Sequence, residues 1–325
     1  MIIGAIVLFT ISLLSLLLGA TNYSITDLFG ALFNYNENND SHYYIINSRM
    51  PRLIADIIVG ASLSVAGAIM QGSTKNPMAD SGIMGISSGS TLGVVIVVAF
   101  MPFAGRFGKM AIAALGALLV TSLIYVIAFL GKGRITSERM VLSGMAISTL
   151  LSSITTSIIL QNGLSNQMIR YTNGSSANTI WKDIYIALPI FLIGLIISII
   201  ISRSLTVLNL GEDVSKGLGA NVIVTRILST LVVLVLSAVA VIIIGPVGYI
   251  GLMVPYVVRF IVGTDYRFVI PSCAIVGASF ILIVDLIAKT INKGFEFPIG
   301  LIITMVGVPF FIYVSRKQKG DIFYD

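Results

Sequence analysis

Apolar runs of about twenty residues recur along the whole chain, separated by short polar connectors. A helical run of this length crosses a hydrocarbon core about 30 Å thick. Of the 325 residues, 56% are hydrophobic and 10% are charged, whereas about 25% of the residues in a soluble domain are charged. These patterns exclude an ordinary soluble domain and predict an all-α polytopic membrane protein.

Ten of the runs are candidate membrane spans, so we expect residues 1–325 to form a single transmembrane domain. The first run has no basic flank and exceeds the usual apolar length of a secretory signal, about 7–15 residues, which favours a retained helix. The eighth is short and interrupted by glycine and proline, a pattern typical of irregular or functional regions in transporters. The candidates are 1–20, 53–71, 84–103, 109–131, 140–160, 184–202, 225–245, 249–262, 268–288 and 298–315.

The distribution of the 20 lysines and arginines predicts the orientation of the chain in the membrane. With the N-terminus inside, twelve of them fall on the cytoplasmic side and eight on the outer side, as the excess of basic residues in cytoplasmic loops requires. Both termini are then cytoplasmic, residues 22–50 form an outer loop, and residues 203–226 form a cytoplasmic loop. The net charge of +6 reflects this topology, and we expect no nucleic-acid partner.

Two arginines and a proline, Arg49, Pro51 and Arg52, open the second span. Proline suits the first turn of a helix because the N–H group it lacks would have no partner there. The arginines could anchor the helix end at lipid headgroups, or they could form a cationic lip for an acidic partner; both interpretations stay open. Asp56 follows Arg52 by four residues, so we expect it to neutralise part of the charge within the helix.

Asp285 and Lys289 lie four residues apart near the outer end of the ninth span. Charges inside a membrane are normally paired or functional, and this spacing predicts an ion pair within the helix. The predicted topology places Lys289 on the same side of the membrane as the two arginines of the second span.

Small and hydroxylated residues distinguish two further spans. Gly85, Gly89 and Gly93 form overlapping G-x-x-x-G steps in the third span, which favour close helix packing within the subunit over a dimer face. The fifth span is rich in hydroxyl groups, which could bond to their own helix or line a water-filled path. These residues are Ser143, Ser148, Thr149, Ser152, Ser153, Thr155, Thr156 and Ser157.

The polar segment 208–226 predicts a short cytoplasmic helix. Gly211 ends one element, Glu212 and Asp213 provide first-turn acids, and Gly217–Leu218–Gly219 ends the helix that they begin. Such a helix suits the groove of a partner protein, although a plain connector remains an alternative. The start of the second span and the helix that follows Arg226 also resemble each other weakly, which suggests an inverted repeat.

Several motifs are absent from the sequence. There is no G-x-x-x-x-G-K-[ST], so ATP is not bound here through a P-loop. The lack of H-E-x-x-H and of a Cys/His cluster argues against a metalloprotease or a metal site. We expect no catalytic residues, no metal and no cofactor in this chain.

Four ordered motifs resemble those of the FecCD permease family, the membrane subunits of ABC importers for iron–siderophores, haem and vitamin B12. RMPR…VGASLSVAGAIMQG…KNPMADSGIMGISSG resembles the family's R-x-P-R, G-A-x-L-x-x-x-G, N-P-L-A and L-G-x-x-x-G run. LGEDVSKGLG resembles its coupling loop, and GPVGYIGLMVPYVVRFIVGTDYRFVIP and FPIGLIITMVGVPFFIYVSRK resemble its last third. The resemblance covers nearly the whole chain.

The resemblance implies a type II ABC importer permease with ten helices, an inverted repeat and both termini inside. It also implies a second permease subunit, two cytoplasmic ATPase subunits that bind ATP and Mg²⁺, and an extracytoplasmic substrate-binding lipoprotein or periplasmic protein. Whether the permease pair is a homodimer or a heterodimer stays open.

Residue roles are implied in the same way. Arg49 and Arg52 match family arginines that receive acidic residues of the binding protein, and Lys289 occupies a third basic position that is often Arg. The fifth helix lines the path, here through Ser143, Ser148, Ser152, Thr155 and Thr156. The coupling helix corresponds to Leu210, Gly211, Glu212, Asp213, Ser215, Gly217, Leu218, Gly219 and Ala220.

Three positions depart from the family pattern. The usual V-P-H reads Val254-Pro255-Tyr256, Lys75 replaces a common Arg, and Ser215 replaces a frequent Ala. The resulting prediction is a permease that imports a ferric siderophore across the bacterial cytoplasmic membrane. Haem or vitamin B12 is the alternative cargo, and an ion-coupled secondary transporter is the alternative class.

Overall fold

A computed structural model describes residues 1–19, 21–80, 85–130, 137–165, 168, 174–291 and 297–322. Every regular element in these ranges is helical, which confirms the predicted all-α class. The helices are α1 Ile2–Leu17, α2 Ile25–Phe33, α3 Asp40–Tyr44, a π-helical turn Ile45–Arg49, α4 Met50–Thr74, α5 Ile86–Phe100, α6 Arg106–Leu130, α7 Ser137–Gln161, α8 Trp181–Asn209, α9 Glu212–Gly217, α10 Val222–Ile244, α11 Ile250–Val262, α12 Tyr266–Thr290 and α13 Ile299–Ile322.

Each of the ten predicted spans coincides with one helix, but the helices differ in length. Six apolar segments are long enough to cross a membrane, namely Asp40–Thr74, Phe107–Ile124, Leu142–Gln161, Trp181–Asn209, Val222–Ile244 and Tyr266–Thr290. Four apolar segments are shorter, with 10–17 residues: Ile2–Leu17, Ile86–Phe100, Ile250–Val262 and the apolar part of α13, Ile299–Val314. Length and composition therefore support six spans, and the count of about ten stays a prediction.

Helix α4 is the central element, and it contacts α8, α10, α11 and α12. The most apolar stretch of the segment Asp40–Thr74, which contains α4, is 89% buried. Such burial is expected of a helix that is apolar on all sides. The small residues of α4 allow this close packing, because a Cβ atom at Gly60 would lie 2.2 Å from the carbonyl oxygen of Gly277. Ser64 adds a hydrogen bond between helices by donating to the carbonyl of Cys273 at 2.6 Å.

Helices α4 and α12 run antiparallel and define two ends of the bundle. Arg52 meets Asp285 at one end, which we call the Arg49 end. At the other end Gly72 packs against the ring of Tyr266, whose backbone N–H donates to the Thr206 hydroxyl near the end of α8 at 3.0 Å. The connector that holds α9 follows α8, so we call this the α9 end.

The α9 end also carries the N-cap of α12. The Asp265 carboxylate accepts a hydrogen bond from the backbone N–H of Arg267 at 3.0 Å and pairs with the Arg267 guanidinium. These contacts, chiefly the side-chain hydrogen bond from Arg267, lower the pKa of Asp265 to about 2. A charged carboxylate at this position favours the start of α12 because the N-terminus of a helix carries partial positive charge.

The segment 22–50 lies at the Arg49 end and is largely helical rather than an open loop. Ser24 and Asp27 form a reciprocal capping box that starts α2, and the Ser24 hydroxyl lowers the pKa of Asp27. Helix α3 continues through the π-helical turn into α4. A small apolar cluster joins this segment to α1, α4 and α12, and it consists of Leu16, Leu28, Ala31, Ile45, Leu53 and Leu282.

The eighth span is short, as predicted, but glycine and proline do not interrupt it, because Gly251 and Pro255 lie within one continuous helix, Ile250–Val262. The irregular turn lies before this helix. Helix α10 ends at Gly245, whose φ is 85°, and α11 begins after Tyr249, whose φ is 70°. Tyr249 also packs directly against Gly307 of α13, where a Cβ atom would lie 2.6 Å from the Tyr249 side chain. The resulting helix, Ile250–Val262, has 13 residues, and its shortness follows from this irregular turn.

Candidate functional site

Three basic side chains at the Arg49 end are withdrawn from solvent. Arg49 is 8% exposed and Lys289 is 7% exposed, and the side chain of Arg52 is 11% exposed. The sequence suggested a charged lip, yet each of the three makes contacts within the chain. Their proposed docking role stays a prediction, and the contacts show what a docking partner would have to displace.

Arg49 binds the C-terminal end of α1. Its guanidinium donates to the carbonyl oxygens of Leu16 and Thr21, and it lies 4.4 Å from the centre of the Tyr23 ring. The last carbonyls of a helix have no partner within the helix, and a cation there is favoured by the helix dipole. Arg49 therefore caps α1 from a position 33 residues away in sequence.

Lys289, which lies near the end of α12, binds the same turn of α1. Its ammonium group donates to the Ser15 carbonyl at 3.0 Å and to the Ser15 hydroxyl at 2.8 Å. It also lies 3.1 Å from Oδ2 of Asp285, so the ion pair predicted for the two residues is present. The C-terminal turn of α1 thus contacts two cations that belong to different helices.

Arg52 crosses from α4 to α12 and binds the same carboxylate. Its Nε and Nη2 atoms lie 3.0 and 2.6 Å from Oδ1 of Asp285, which is completely buried. Asp285 therefore holds Arg52 with one oxygen and Lys289 with the other. This arrangement makes Asp285 the centre of a buried charge network that joins α4 to α12.

Arg52 hydrogen-bonds to Asp285 of the neighbouring helix rather than to Asp56, although its charge still acts on Asp56. Both carboxylate oxygens of Asp56 are buried without a hydrogen bond, as is the hydroxyl of Ser176. The order of charges explains the difference, because a basic residue N-terminal to an acidic one at this spacing is the weaker arrangement on a helix. Arg52 binds the carboxylate of the neighbouring helix instead.

The short helix predicted after Gly211 is present as α9, and its polar contacts fix it to the end of α8. Gly211 has φ of 130° and Gly219 has φ of 78°, conformations that favour glycine at both ends. Ser215 is completely buried, and its hydroxyl donates to the Val207 carbonyl at 2.8 Å. The connector is shorter than residues 203–226, because α8 reaches Asn209 and α10 begins at Val222.

The exposed surface of α9 contains large apolar side chains in addition to its acidic residue and glycines. Asp213, Gly217 and Gly219 are exposed and Ala220 is half-buried, whereas the Glu212 side chain lies outside the described residues. Three large apolar side chains are also exposed there, Leu210, Val214 and Leu218. Exposed apolar side chains on a helix that is fixed by a buried residue, here Ser215, are typical of a protein contact. The apolar residues at positions 210, 214 and 218 are visible in the sequence and could have indicated this surface.

Helix α7 contacts α5 and α6 and leaves much of its hydroxyl-rich surface uncovered. Ser152 and Thr156 are exposed, Ser143 and Ser148 are half-buried, and Thr155 is buried. The Thr156 hydroxyl donates to the Ser152 carbonyl at 2.9 Å, so part of this hydroxyl set is satisfied by its own helix. The predicted path along α7 is not tested by these contacts.

The three glycines of the third span face α6. Cβ atoms at Gly89 and Gly93 would lie 2.5 and 2.6 Å from the carbonyl oxygens of Gly116 and Ile112. Gly85 precedes the helix with φ of 72°, so it serves as the cap of α5. Close packing between α5 and α6 depends on the absence of side chains at Gly89 and Gly93.

Two further features concern ligands. Among the described residues no cluster of three or more His, Cys, Asp or Glu side chains could hold a metal ion. An open cleft of about 630 Å³ lies between the turn before α11 and helix α13, a feature that the sequence analysis did not identify. Its lining consists of Pro246, Val247, Gly248, Gly300, Leu301, Thr304, Met305, Val308 and Pro309.

Three curated relatives resemble the chain over most of its length. The iron(3+)-hydroxamate import system permease protein FhuB of Bacillus subtilis (strain 168) is 36% identical over 306 residues, 94% of this chain and 80% of that protein. The Fe(3+)-citrate import system permease protein YfmD of the same organism is 36% identical over 320 residues, 98% and 95% of the two chains. The hemin transport system permease protein HmuU of Yersinia pestis is 32% identical over 316 residues, 95% and 94% of the two chains.

The fold has a close counterpart among solved structures. A metal-chelate type ABC transporter in an inward-facing conformation matches with a TM-score of 0.84 and 25% identity, over 97% of each chain. The arrangement of helices is therefore that of an ABC transporter permease. The sequence model of the FecCD transport family matches residues 6–317, and this chain is a member of that family.

Proposed function

We propose that this chain is the membrane-spanning permease subunit of an ABC importer that carries a ferric siderophore into the cell. The family assignment makes it a multi-pass membrane permease of the class that transports metal chelates, siderophores, haem or vitamin B12. The observation that carries the proposal is the family match across residues 6–317. ATP hydrolysis belongs to partner subunits.

The proposed mechanism is alternating access by two permease subunits. A loaded binding protein docks at the Arg49 end, and closure of the ATPases on ATP moves α9 and its partner. The cargo then passes between the two permeases along α7, with Ser143, Ser148, Ser152, Thr155 and Thr156 along the path. Support for the coupling role comes from the exposed apolar side chains of α9 beside its buried Ser215 anchor.

Docking at the Arg49 end would draw on Arg49, Arg52 and Lys289. Arg52 is the most accessible of the three, so an acidic side chain of the binding protein would reach it first. That carboxylate would have to compete with Asp285, which already holds Arg52 and Lys289. We expect such contacts to act mainly on the rate and orientation of encounter, as charges at a protein interface usually do.

Two relatives whose names refer to iron(3+)-hydroxamate and Fe(3+)-citrate support a ferric chelate as cargo. Haem is the second candidate because the Yersinia pestis relative is named for hemin. The cargo is tested most directly through the binding protein encoded with this permease, by measuring its affinity for ferric hydroxamate, ferric citrate and hemin. Tight binding of hemin alone would replace the siderophore proposal.

The transport class is tested with proteoliposomes that contain the permease, its ATPase subunits and the binding protein. We expect uptake of ⁵⁵Fe-siderophore to require ATP and to survive collapse of the proton gradient. The contrary pattern, uptake without ATPase subunits that stops when the gradient is collapsed, would identify an ion-coupled secondary transporter. Because the mechanism depends on a permease pair, the same preparation also reports whether one chain suffices for the pair.

A further inference from the structure

Helix α2 exposes an apolar surface that nothing in the described chain covers. Residues 25–33 read ITDLFGALF, and Leu28 and Ala31 face the apolar cluster at the Arg49 end. The adjoining side of the helix carries Ile25, Phe29, Leu32 and Phe33, of which Phe29 is 58% and Phe33 is 82% exposed. These four side chains form a continuous arc about 100° wide on a helix that turns about 100° per residue.

The packing of α2 fixes its depth relative to the spanning helices. Leu28 and Ala31 on its buried side belong to one apolar cluster with Leu16 in the last turn of α1 and Leu53 in the first turn of α4. These turns are the ends of their helices, so α2 lies at the level where the apolar interior of a membrane meets its headgroups. A helix with an exposed apolar face at this level suits the interfacial region of a bilayer.

The composition of the exposed arc selects lipid over protein as the covering surface. The helix has no basic residue, and its one acidic residue, Asp27, is bound by Ser24 in the capping box. An acidic or basic partner protein would therefore find no complementary charge on this surface. Phe29 and Phe33 stack at 6.1 Å between ring centres, and Phe and Leu are typical of the apolar face of an interfacial helix.

The exposed arc also continues an apolar surface on α1. Large side chains along α1, including Phe9 and Leu13, are exposed, as is Leu18 directly after the helix. Exposed apolar side chains on a helix of a membrane permease are expected to contact lipid. Helices α1 and α2 contact each other and share one apolar cluster at the Arg49 end, so lipid around α1 would also reach α2.

We propose that α2 is an interfacial anchor whose Ile25, Phe29, Leu32 and Phe33 side chains enter the lipid leaflet at the Arg49 end. The anchor holds the segment that leads through α3 to Arg49. His42 of α3 packs against Gly30 of α2, where a Cβ atom would lie 2.7 Å from the imidazole. Movement of α2 relative to the membrane would thus be transmitted to the residues that cap α1.

The test uses spin labels on single introduced cysteines in the whole protein, reconstituted in phosphatidylcholine–phosphatidylglycerol nanodiscs. The native cysteine, Cys273, is completely buried and is not expected to react. Labels replace Phe29 and Phe33 (Phe29→Cys, Phe33→Cys), with Phe9→Cys in α1 as the lipid control. Asn38→Cys, on the exposed connector between α2 and α3, is the aqueous control.

Accessibility of each label to oxygen and to a water-soluble nickel chelate decides the outcome. We expect the oxygen-to-nickel ratio at positions 29 and 33 to exceed that at position 38 several-fold and to approach that at position 9. A ratio equal to that at position 38 would place α2 in water and overturn the proposal. Protection from both reagents would show that a protein, such as the second permease, covers the helix, and would also overturn it.

A second variant tests the native helix face without a spin label. Phe33→Trp in a Trp181→Phe background places the only tryptophan on α2, and the background alone is measured for folding. We expect brominated phosphatidylcholine to quench its fluorescence strongly and iodide to quench it weakly. Strong iodide quenching with weak quenching by the brominated lipid would contradict insertion.

Discussion

Arg52 of α4 donates to Asp285 of α12 with two nitrogen atoms, at 3.0 and 2.6 Å from the same carboxylate oxygen. The second oxygen of Asp285 lies 3.1 Å from Lys289. Two cations that were expected to face a partner protein are therefore held by one internal carboxylate. A docking protein that uses these cations has to exchange its own acidic side chain for Asp285.

Removing the charge of Asp285 should destabilise the permease strongly. Asp285→Asn removes the charged carboxylate that contacts both Arg52 and Lys289, and breaking such a buried pair usually costs about 3–5 kcal/mol. We expect a clear fall in the thermal unfolding temperature in detergent, followed by tryptophan fluorescence, and lower yield in the membrane. Glu37→Gln, at an exposed position, is the matched control and should unfold like the wild type.

Exchanging Arg52 and Asp285 distinguishes a role of Arg52 in docking the binding protein from its role in stabilising the fold. Arg52→Asp combined with Asp285→Arg keeps an ion pair between α4 and α12 but moves the positive charge to the other helix. We expect this double variant to regain part of the stability that Arg52→Asp alone loses, because one buried ion pair is restored while Lys289 is left beside a like charge. Binding-protein association, measured by surface plasmon resonance in nanodiscs, should remain slow because position 52 is now acidic.

The exchange also has a contrary outcome. If association and uptake recover together with stability, the role of Arg52 is to join α4 to α12, and the docking assignment is wrong. Arg52→Asp alone should then lose both properties in parallel. The single and double variants are measured at equal amounts of folded protein, so that a loss of folded permease is not mistaken for slower association of the binding protein.

Structural elements could be predicted from the sequence where the residues that cause them lie within the element itself. Gly211 and Gly219 mark the two ends of α9 because each adopts a positive φ that favours glycine. These features could be recognised because the residue that causes the conformation lies at the position where it occurs.

The contacts of the cations could not be predicted in the same way. Arg49 and Lys289 meet one turn of α1 across separations of 33 and 274 residues, and no periodicity links positions so far apart. Burial of these side chains depends on how α1 packs against α12, which a single sequence does not specify. The exposed face of α2 was missed for a related reason, since only the packed structure reveals which of its apolar residues remain uncovered.

Charge reversal on α9 should uncouple ATP hydrolysis from transport. Glu212→Lys with Asp213→Lys changes the charge beside the exposed Leu210, Val214 and Leu218, where the ATPase is proposed to bind. We expect normal amounts of permease in the membrane and loss of ATP-dependent uptake in proteoliposomes. The same reversal at the Arg49 end, Glu37→Lys with Asp40→Lys, is the control, and it should leave binding of the ATPase subunits to the permease unchanged. Equal binding of the ATPase subunits in both variants would count against the coupling role.

Replacing glycine with alanine should destabilise the protein where the glycine is packed inside the bundle, but not where it lies at the surface. In Gly60→Ala the new Cβ atom would lie 2.2 Å from the Gly277 carbonyl oxygen, which forces α4 and α12 apart. Overpacking of this kind usually costs about 1–3 kcal/mol, so we expect a lower unfolding temperature and reduced uptake. In Gly217→Ala no atom lies within 4 Å of the new methyl group, and alanine favours the helix more than glycine does. This variant should be at least as stable as the wild type, and equal stability of the two alanine variants would show that α4 and α12 are not as closely packed as described.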